Sequence, residues 1–168
     1  MKKVLALTLV AVLLAGCGAA ASVKTGLGHT ISVEKSKDAT AEAEGLAQVD
    51  TVMAAVTVDS SNKILGVVID TAQVQINFDA TGKITTNINE EKQTKVERGY
   101  DYGMKKASSI GKEWFEQIAD LEKWMVGKTV DKITALKSPA DDADLKSKVT
   151  ISIGDYQKAV AEAVKNAR

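Results

Sequence analysis

Residues that build covalent or metal-bound frameworks are nearly missing from this sequence. Its 168 residues include one cysteine, Cys17, and one histidine, His29. A single cysteine excludes an intramolecular disulfide framework and a cysteine-rich metal site. A single histidine, with no cluster of ligand-type residues around it, provides no Ser/His/Asp or Cys/His catalytic arrangement. We therefore predict no hydrolytic machinery, no metal site and a surface position for His29.

Aromatic residues are also scarce, at 4% of the chain. Five of them stand between positions 100 and 124: Tyr100, Tyr102, Trp114, Phe115 and Trp124. Tyr102 belongs to a polar segment, residues 89–103, which we interpret as a loop over the sheet, and long loops are often functional. Tyr100 and Tyr102 are therefore candidates for covering a planar ligand, and the alternative is that they pack the loop down.

The first 17 residues are typical of a lipoprotein export signal. Lys2 and Lys3 precede an apolar run, residues 4–14, that is too short for a permanent membrane span. Small residues then precede Cys17. We predict a signal peptide over residues 1–16, lipid on Cys17 and an extracytoplasmic protein anchored to a membrane of the cell envelope.

The remainder of the chain is predicted to form a flexible tether, residues 17–28, and one domain, residues 29–168, a size that supports a single core. Gly26 and Gly28 follow no predicted strand, so we predict no nucleotide loop there. Loss of Lys2 and Lys3 lowers the 22 basic residues to 20 against 22 acidic ones. This balance argues against nucleic acid as a partner.

Alternating apolar and polar residues predict strands in the first half of the domain. The strands cover residues 31–33, 52–58, 64–69, 74–78 and 83–88, and the turns are Asp59–Lys63 and Asp79–Gly82. The pattern indicates an antiparallel meander with one polar face.

Helical spacing dominates the second half. Apolar residues recur three or four apart in a stripe that ends near Gly127: Ile110, Trp114, Ile118, Leu121 and Met125. A short helix is predicted over residues 129–136, and the acidic run that follows Pro139 is interpreted as solvated rather than metal-binding. We therefore predict an α+β fold, with an antiparallel sheet of about four strands packed by C-terminal helices.

A helix start near the C-terminus carries the most specific functional pattern. Ser152 and Asp155 have the spacing of an N-cap and its partner, and the residues after them are amphipathic. Thr150 therefore stands just before a helix N-terminus, which is suited to a phosphate.

The order of Asp144, Ser147 and Thr150 before this helix resembles the C-terminal motif of FMN-binding domains, found in bacterial respiratory complexes and envelope lipoproteins. The resemblance implies FMN attached through its phosphate to Thr150, with Asp144 and Ser147 serving the flavin transferase or shaping the loop. FMN-binding domains also have a helix where Trp114 and Phe115 stand, so the resemblance implies that Trp114 or Phe115 forms part of a flavin wall, and that a redox partner exists. Tyr102 is the loop candidate for covering the same ligand. Lys148 and Val149 stand where the family prefers small residues.

Two functions remain open at this point. The first is an electron-transfer module in which FMN carries the redox chemistry and the protein sets its placement and potential. The second is a non-redox ligand-binding or structural lipoprotein with the same architecture and no flavin, which Lys148 and Val149 favour.

Overall fold

The computed structural model describes residues 23–168, which form an α+β fold with helices packed on one face of an antiparallel sheet. The strands are β1 (Lys24–Ser32), β2 (Gly45–Val58) and β3 (Ile64–Phe78), in the order β1-β2-β3. The helices are α1 (Lys95–Arg98), α2 (Trp114–Met125), α3 (Val130–Thr134) and α4 (Gly154–Lys165). The predicted fold class is confirmed. The predicted signal peptide and Cys17 lie outside the described residues.

Aspartates organise the tight turns at both ends of β3. Asp59 Oδ1 accepts hydrogen bonds from the N–H groups of Ser61 (2.8 Å) and Lys63 (3.0 Å). Asp79 Oδ1 repeats this arrangement with Thr81 (2.8 Å) and Lys83 (3.0 Å). Because these bonds favour the ionised form, they lower the pKa of both carboxyls. Both predicted turns are confirmed.

The sheet has three strands, because β3 is continuous and the predicted strand over residues 83–88 does not form. Ile84 makes only an isolated bridge with Phe78. The Asn77 N–H instead donates to the Thr86 hydroxyl oxygen at 2.7 Å, so a side chain takes the place of a strand partner.

The distribution of apolar and polar residues over the two faces of the sheet differs from the predicted one. Val52, Ala54, Val56, Val67 and Ile69 are buried on the helix-covered face, hereafter the helix side. Further along β2 and β3 the polar residues Gln48, Gln73 and Gln75 occupy that same side. The opposite face, hereafter the bare face, is mainly apolar, so the polar residues of the predicted polar face lie on the helix side instead. Alternation within one strand gives its two faces, but the packing of helices decides which face is covered.

Strand β1 includes residues 24–28, which the sequence assigned to the tether. The reason is that helix α4 packs directly on Gly26 and Gly28. A Cβ atom at Gly28 would lie 2.2 Å from the Ala159 carbonyl oxygen, and one at Gly26 would lie 1.9 Å from that of Ala163. These glycines therefore admit the helix backbone, and a larger residue would hold it away from the sheet.

Helix α2 supplies most of the predicted apolar stripe to the core. Trp114, Ile118, Leu121 and Met125 are buried, whereas Ile110 precedes the helix and is only half-buried. Gly127 follows with a φ of 80°, a left-handed conformation that favours glycine and ends the helix as predicted. Within residues 23–168, no helix has the length and apolarity that a membrane span requires.

Candidate functional site

A pocket of about 500 Å³ opens on the helix side, where the sheet meets the first turns of α2 and α4. The sheet contributes Asp50, Val52 and Thr71 to its lining. Lys35, before β2, and the segment around α1 line it as well, and helix α2 contributes Trp114. The remaining lining residues are Lys95, Tyr102 and Met104 near α1, Ile151 and Ser152 just before α4, and Gly154, Asp155 and Tyr156 at its start. Elements distant in sequence therefore converge on one polar and aromatic cavity.

Lys95 is the unusual residue of this pocket, because its side chain is buried without a counter-ion. The residue is only 8% exposed, and no ion pair within residues 23–168 includes it. Its ammonium nitrogen lies 5.0 Å from the Tyr102 ring centroid and 5.4 Å from that of Trp114. Both distances allow cation–π attraction, which offsets part of the cost of burying the charge. An anion in the pocket would offset the rest.

The short helix α1 determines where Lys95 lies. Thr94 and Glu97 form a capping box, in which the Thr94 hydroxyl oxygen accepts from the Glu97 N–H at 3.2 Å. The Val96 N–H donates to Asp70 Oδ1 at 3.2 Å and thereby attaches the helix to β3. Lys95 is thus held between a capped turn and a strand.

Buried hydroxyl and indole groups form the inner wall of the pocket. The Trp114 Nε1–H donates to the Tyr156 hydroxyl oxygen at 3.0 Å, and burial raises the pKa of Tyr156. Thr71 Oγ1 is the one buried side-chain polar atom among residues 23–168 without a hydrogen-bond partner. An unsatisfied buried hydroxyl costs stability, so it too favours a polar ligand here.

Helix α4 points its N-terminus at the same cavity. Ile153 occupies the N-cap position and no side chain caps the helix, so the prediction that Ser152 caps it was wrong. Because Ile153 is the last residue before the helix, the helix starts one residue later than the capping pattern implied. No hydrogen bond within the described part of the chain uses the N–H groups of Gly154, Asp155 or Tyr156. These groups and the helix dipole favour negative charge in the pocket.

The two carboxylates that line the pocket are each paired with a lysine. Lys35 lies 2.7 Å from Asp50, and Lys158 lies 3.0 Å from Asp155. Burial acts to raise the pKa of Asp50, but hydrogen bonds from Lys35 and Gln48 outweigh it and lower the pKa below its ordinary value. Because each of these carboxylates is paired with a lysine of its own, neither is left to pair with Lys95.

The structure brings together only two of the residues that the flavin motif predicted. Trp114 and Tyr102 both line the pocket, but Trp114 is 2% exposed and Lys95 lies over both rings. The guanidinium of Arg98 lies 5.1 Å from the Tyr102 centroid as well. These rings therefore belong to the core and to the lysine site, and they do not present a bare stacking wall.

The other three predicted residues lie outside this pocket. Asp144 is exposed and lines a separate polar cleft with Lys123 and Lys148, and Ser147 is exposed. Thr150 is exposed too, and its N–H and hydroxyl donate to Gln117 Oε1 at 2.8 and 3.2 Å. Val149, which departs from the family pattern, is buried in the core.

Sequence reasoning missed Lys95 and Thr71. The capping pattern of Thr94 and Glu97 was visible in the sequence and would have predicted a helix start inside the supposed loop. Nothing local indicated that Lys95 would be buried, because it lies against Trp114, a residue of helix α2.

Comparisons with protein-family models, with curated proteins and with solved structures found no match to this chain. Among residues 23–168, no group of three or more histidine, cysteine, aspartate or glutamate side chains is placed to hold a metal ion. Asp141 and Asp142 instead accept backbone N–H groups of their own turn. Function must therefore be argued from the pocket itself.

Proposed function

We propose that the protein is a lipid-anchored envelope protein that binds a small anionic ligand in the Lys95 pocket. The observation that carries the proposal is Lys95, a buried residue that lines the cavity and forms no ion pair among the described residues. The open N-terminus of α4 and the Thr71 hydroxyl supply donors to the same space. A buried charge of this kind is costly unless a ligand pairs with it.

Titration calorimetry with inorganic phosphate tests this proposal, with Lys95→Met as the diagnostic variant. Methionine keeps the length and apolar contacts of the side chain and removes its charge. A charge-assisted hydrogen bond contributes about 1.5–3 kcal/mol, so we expect the variant to bind phosphate roughly 10- to 100-fold more weakly. Lys146→Met, at an exposed position outside the pocket lining, is the matched control and should bind as the wild type does.

Thermal unfolding of the same variants distinguishes a binding role from a structural one. Because an unpaired buried charge is costly, Lys95→Met without ligand should be as stable as the wild type or more stable. Wild-type protein that fails to bind phosphate, or a Lys95→Met variant that binds it equally well, would contradict the proposal.

The flavin-carrying electron-transfer module is the second candidate, and the exposure of Thr150 favours it. A transferase can reach an exposed hydroxyl, and bound FMN would supply redox chemistry to a partner protein. The residues fit this group in part: Thr150 suits attachment of the phosphate, whereas the lysine-covered rings of Trp114 and Tyr102 do not suit stacking of the flavin ring.

Intact mass spectrometry after co-expression with a flavin transferase tests the second candidate. The wild type should carry one FMN and Thr150→Ala none, while Ser109→Ala, at an exposed position outside the motif, should carry FMN as the wild type does. A wild-type mass without the FMN increment would leave the non-redox binding protein as the function.

A further inference from the structure

The bare face of the sheet is an apolar surface without a covering layer in residues 23–168. Leu27 on β1 and Val68 on β3 are each 66% exposed, and Ile31 and Val49 are exposed as well. The register places Leu27, Ala55 and Val68 in one row across the three strands. Val74 and Ile76 continue the same face along β3. A contiguous apolar patch on a sheet face is often functional.

Both edges of the sheet are already occupied, so strand pairing does not explain the apolar face. Along β1, the His29 N–H donates to Glu162 and the Leu27 carbonyl accepts from Asn166 Nδ2 at 3.0 Å. Along β3, the Ile69 N–H donates to Glu122 Oε1 at 2.7 Å. Side chains of α2 and α4 thus take up edge groups that another strand would need. What remains available is the face itself.

Charge on the bare face is confined to its margins. His29 and Asp70 stand on the two edge strands, with Met53 of the central strand between them. His29 Nδ1 lies 3.3 Å from Glu162, and Asp70 Oδ1 accepts from the Val96 N–H. Because both groups already have partners, an apolar environment can cover the centre of the face without burying an unpaired charge.

The predicted anchor places a membrane within reach of this face. Only residues 18–23 separate Cys17 from the start of β1, and that stretch spans at most about 25 Å when fully extended. Strand β1 itself carries Leu27 and Ile31 onto the bare face. We infer that the bare face lies on the surface of the membrane that holds the lipid anchor, with its apolar side chains in the interfacial region. This inference rests on the proposed lipid anchor.

The size of the face favours a bilayer over a second copy of the chain. Three strands about 4.8 Å apart and nine residues long offer roughly 400 Å², and the extra length of β2 and β3 brings this to roughly 600 Å². A stable protein interface needs about 800 Å² on each partner. A lipid-anchored protein needs far less, because its acyl chains already hold it at the membrane.

A fluorescent label at position 68 tests this inference in the full lipidated protein. Lipidation consumes the thiol of Cys17, so Val68→Cys carries the one reactive thiol, at a site exposed enough to leave folding intact. The label is read in vesicles of phosphatidylethanolamine and phosphatidylglycerol. We expect aqueous iodide to quench the label several-fold more weakly on the vesicles than on the domain released into detergent-free solution. We also expect nitroxides on the lipid chains to quench the label. Lys158→Cys, on the outer surface of α4, is the control and should remain open to iodide.

Each outcome of this experiment has one meaning. A protein that floats with the vesicles but shows equal iodide quenching at positions 68 and 158 would overturn the inference and leave the anchor intact. Shielding at position 68 that grows with protein concentration, without lipid-chain quenching, would assign the face to a second copy and also overturn it. Failure of the wild type to float with vesicles would overturn both the anchor and the inference.

Discussion

At the scale of single residues, the close approach of α4 to β1 depends on two glycines, which have a hydrogen atom in place of a side chain. Gly26 and Gly28 lie under the backbone of α4 at Ala159 and Ala163. The facing residues are also small, so the helix backbone reaches the strand and buries Ala159, Val160 and Ala163 completely. A glycine pair that suggested a flexible tether is thus a packing surface.

The first prediction is that Gly28→Ala destabilises the protein, whereas Gly66→Ala does not. The new methyl at position 28 would overlap backbone atoms of α4 at 2.2 Å and force the helix outward. Such overpacking typically costs about 1–3 kcal/mol, and rigid backbone places this site at the upper end. Gly66 is the matched control on β3, with no atom within 4 Å of its added methyl. Urea denaturation of both variants tests this prediction. Equal midpoints would contradict the close packing of α4 on Gly28.

At the scale of elements, Glu122 joins α2 to the edge of β3. Its Oε1 accepts from the Ile69 N–H at 2.7 Å. Burial raises the pKa of Glu122, and the neighbouring charge of Asp70 adds to the shift, although the hydrogen bond from Ile69 acts against it. The helix and strand are therefore connected by a group whose charge the site disfavours.

The second prediction concerns stability against pH. A carboxyl with a raised pKa in the folded state contributes stability that is fully present below its unfolded pKa and is lost as the pH rises through the folded value. We expect this loss above the ordinary value of 4.5 in the wild type and its absence in Glu122→Gln, which keeps an acceptor for Ile69. Glu122→Ala should cost about 1–3 kcal/mol at low pH, because the buried N–H is left unpaired, and less as the pH rises and the wild type loses stability.

Denaturation midpoints measured across this pH range check both variants, with Glu44→Gln at an exposed position as the control. If the denaturation midpoint of Glu122→Gln changed with pH as steeply as that of the wild type, Glu122 would not titrate as described.

At the scale of the whole molecule, the Lys95 pocket and the bare face lie on opposite sides of one sheet. The helix side holds Lys95 and the mouth of the pocket, and the other side holds Leu27 and Val68. A sheet that lies on a membrane by its bare face would therefore present the pocket toward the aqueous phase. This arrangement suits a receptor for a soluble anion.

The third prediction is that Cys17→Ala releases the protein from the membrane fraction or leaves it unprocessed. Two or three acyl chains bind a bilayer far more firmly than a single chain, so the wild type should sediment with membranes. Ser22→Ala is the control and should behave as the wild type does. Labelled fatty acid that fails to appear on the wild-type protein would contradict the anchor.

The sequence alone determined the features that depend on neighbouring residues. The turns at Asp59 and Asp79 and the end of α2 at Gly127 follow from side-chain hydrogen bonds or backbone preferences within five residues, so local patterns predicted them. The buried stripe of α2 follows from helical period in the same way. The α+β class followed because strand-like and helix-like patterns occupy separate halves of the chain.

Three features depend on contacts between distant elements: the face of the sheet that is covered, the position of Lys95, and the packing of α4 on Gly26 and Gly28. The alternation of Val74 and Ile76 with Gln73 and Gln75 is the same whichever side the helices take. Lys95 is buried beside the rings of Trp114, from α2, and of Tyr102. The glycines matter because α4 returns to β1 from the far end of the chain. Contacts of such long sequence separation leave no periodic signal, and they form the pocket and the bare face.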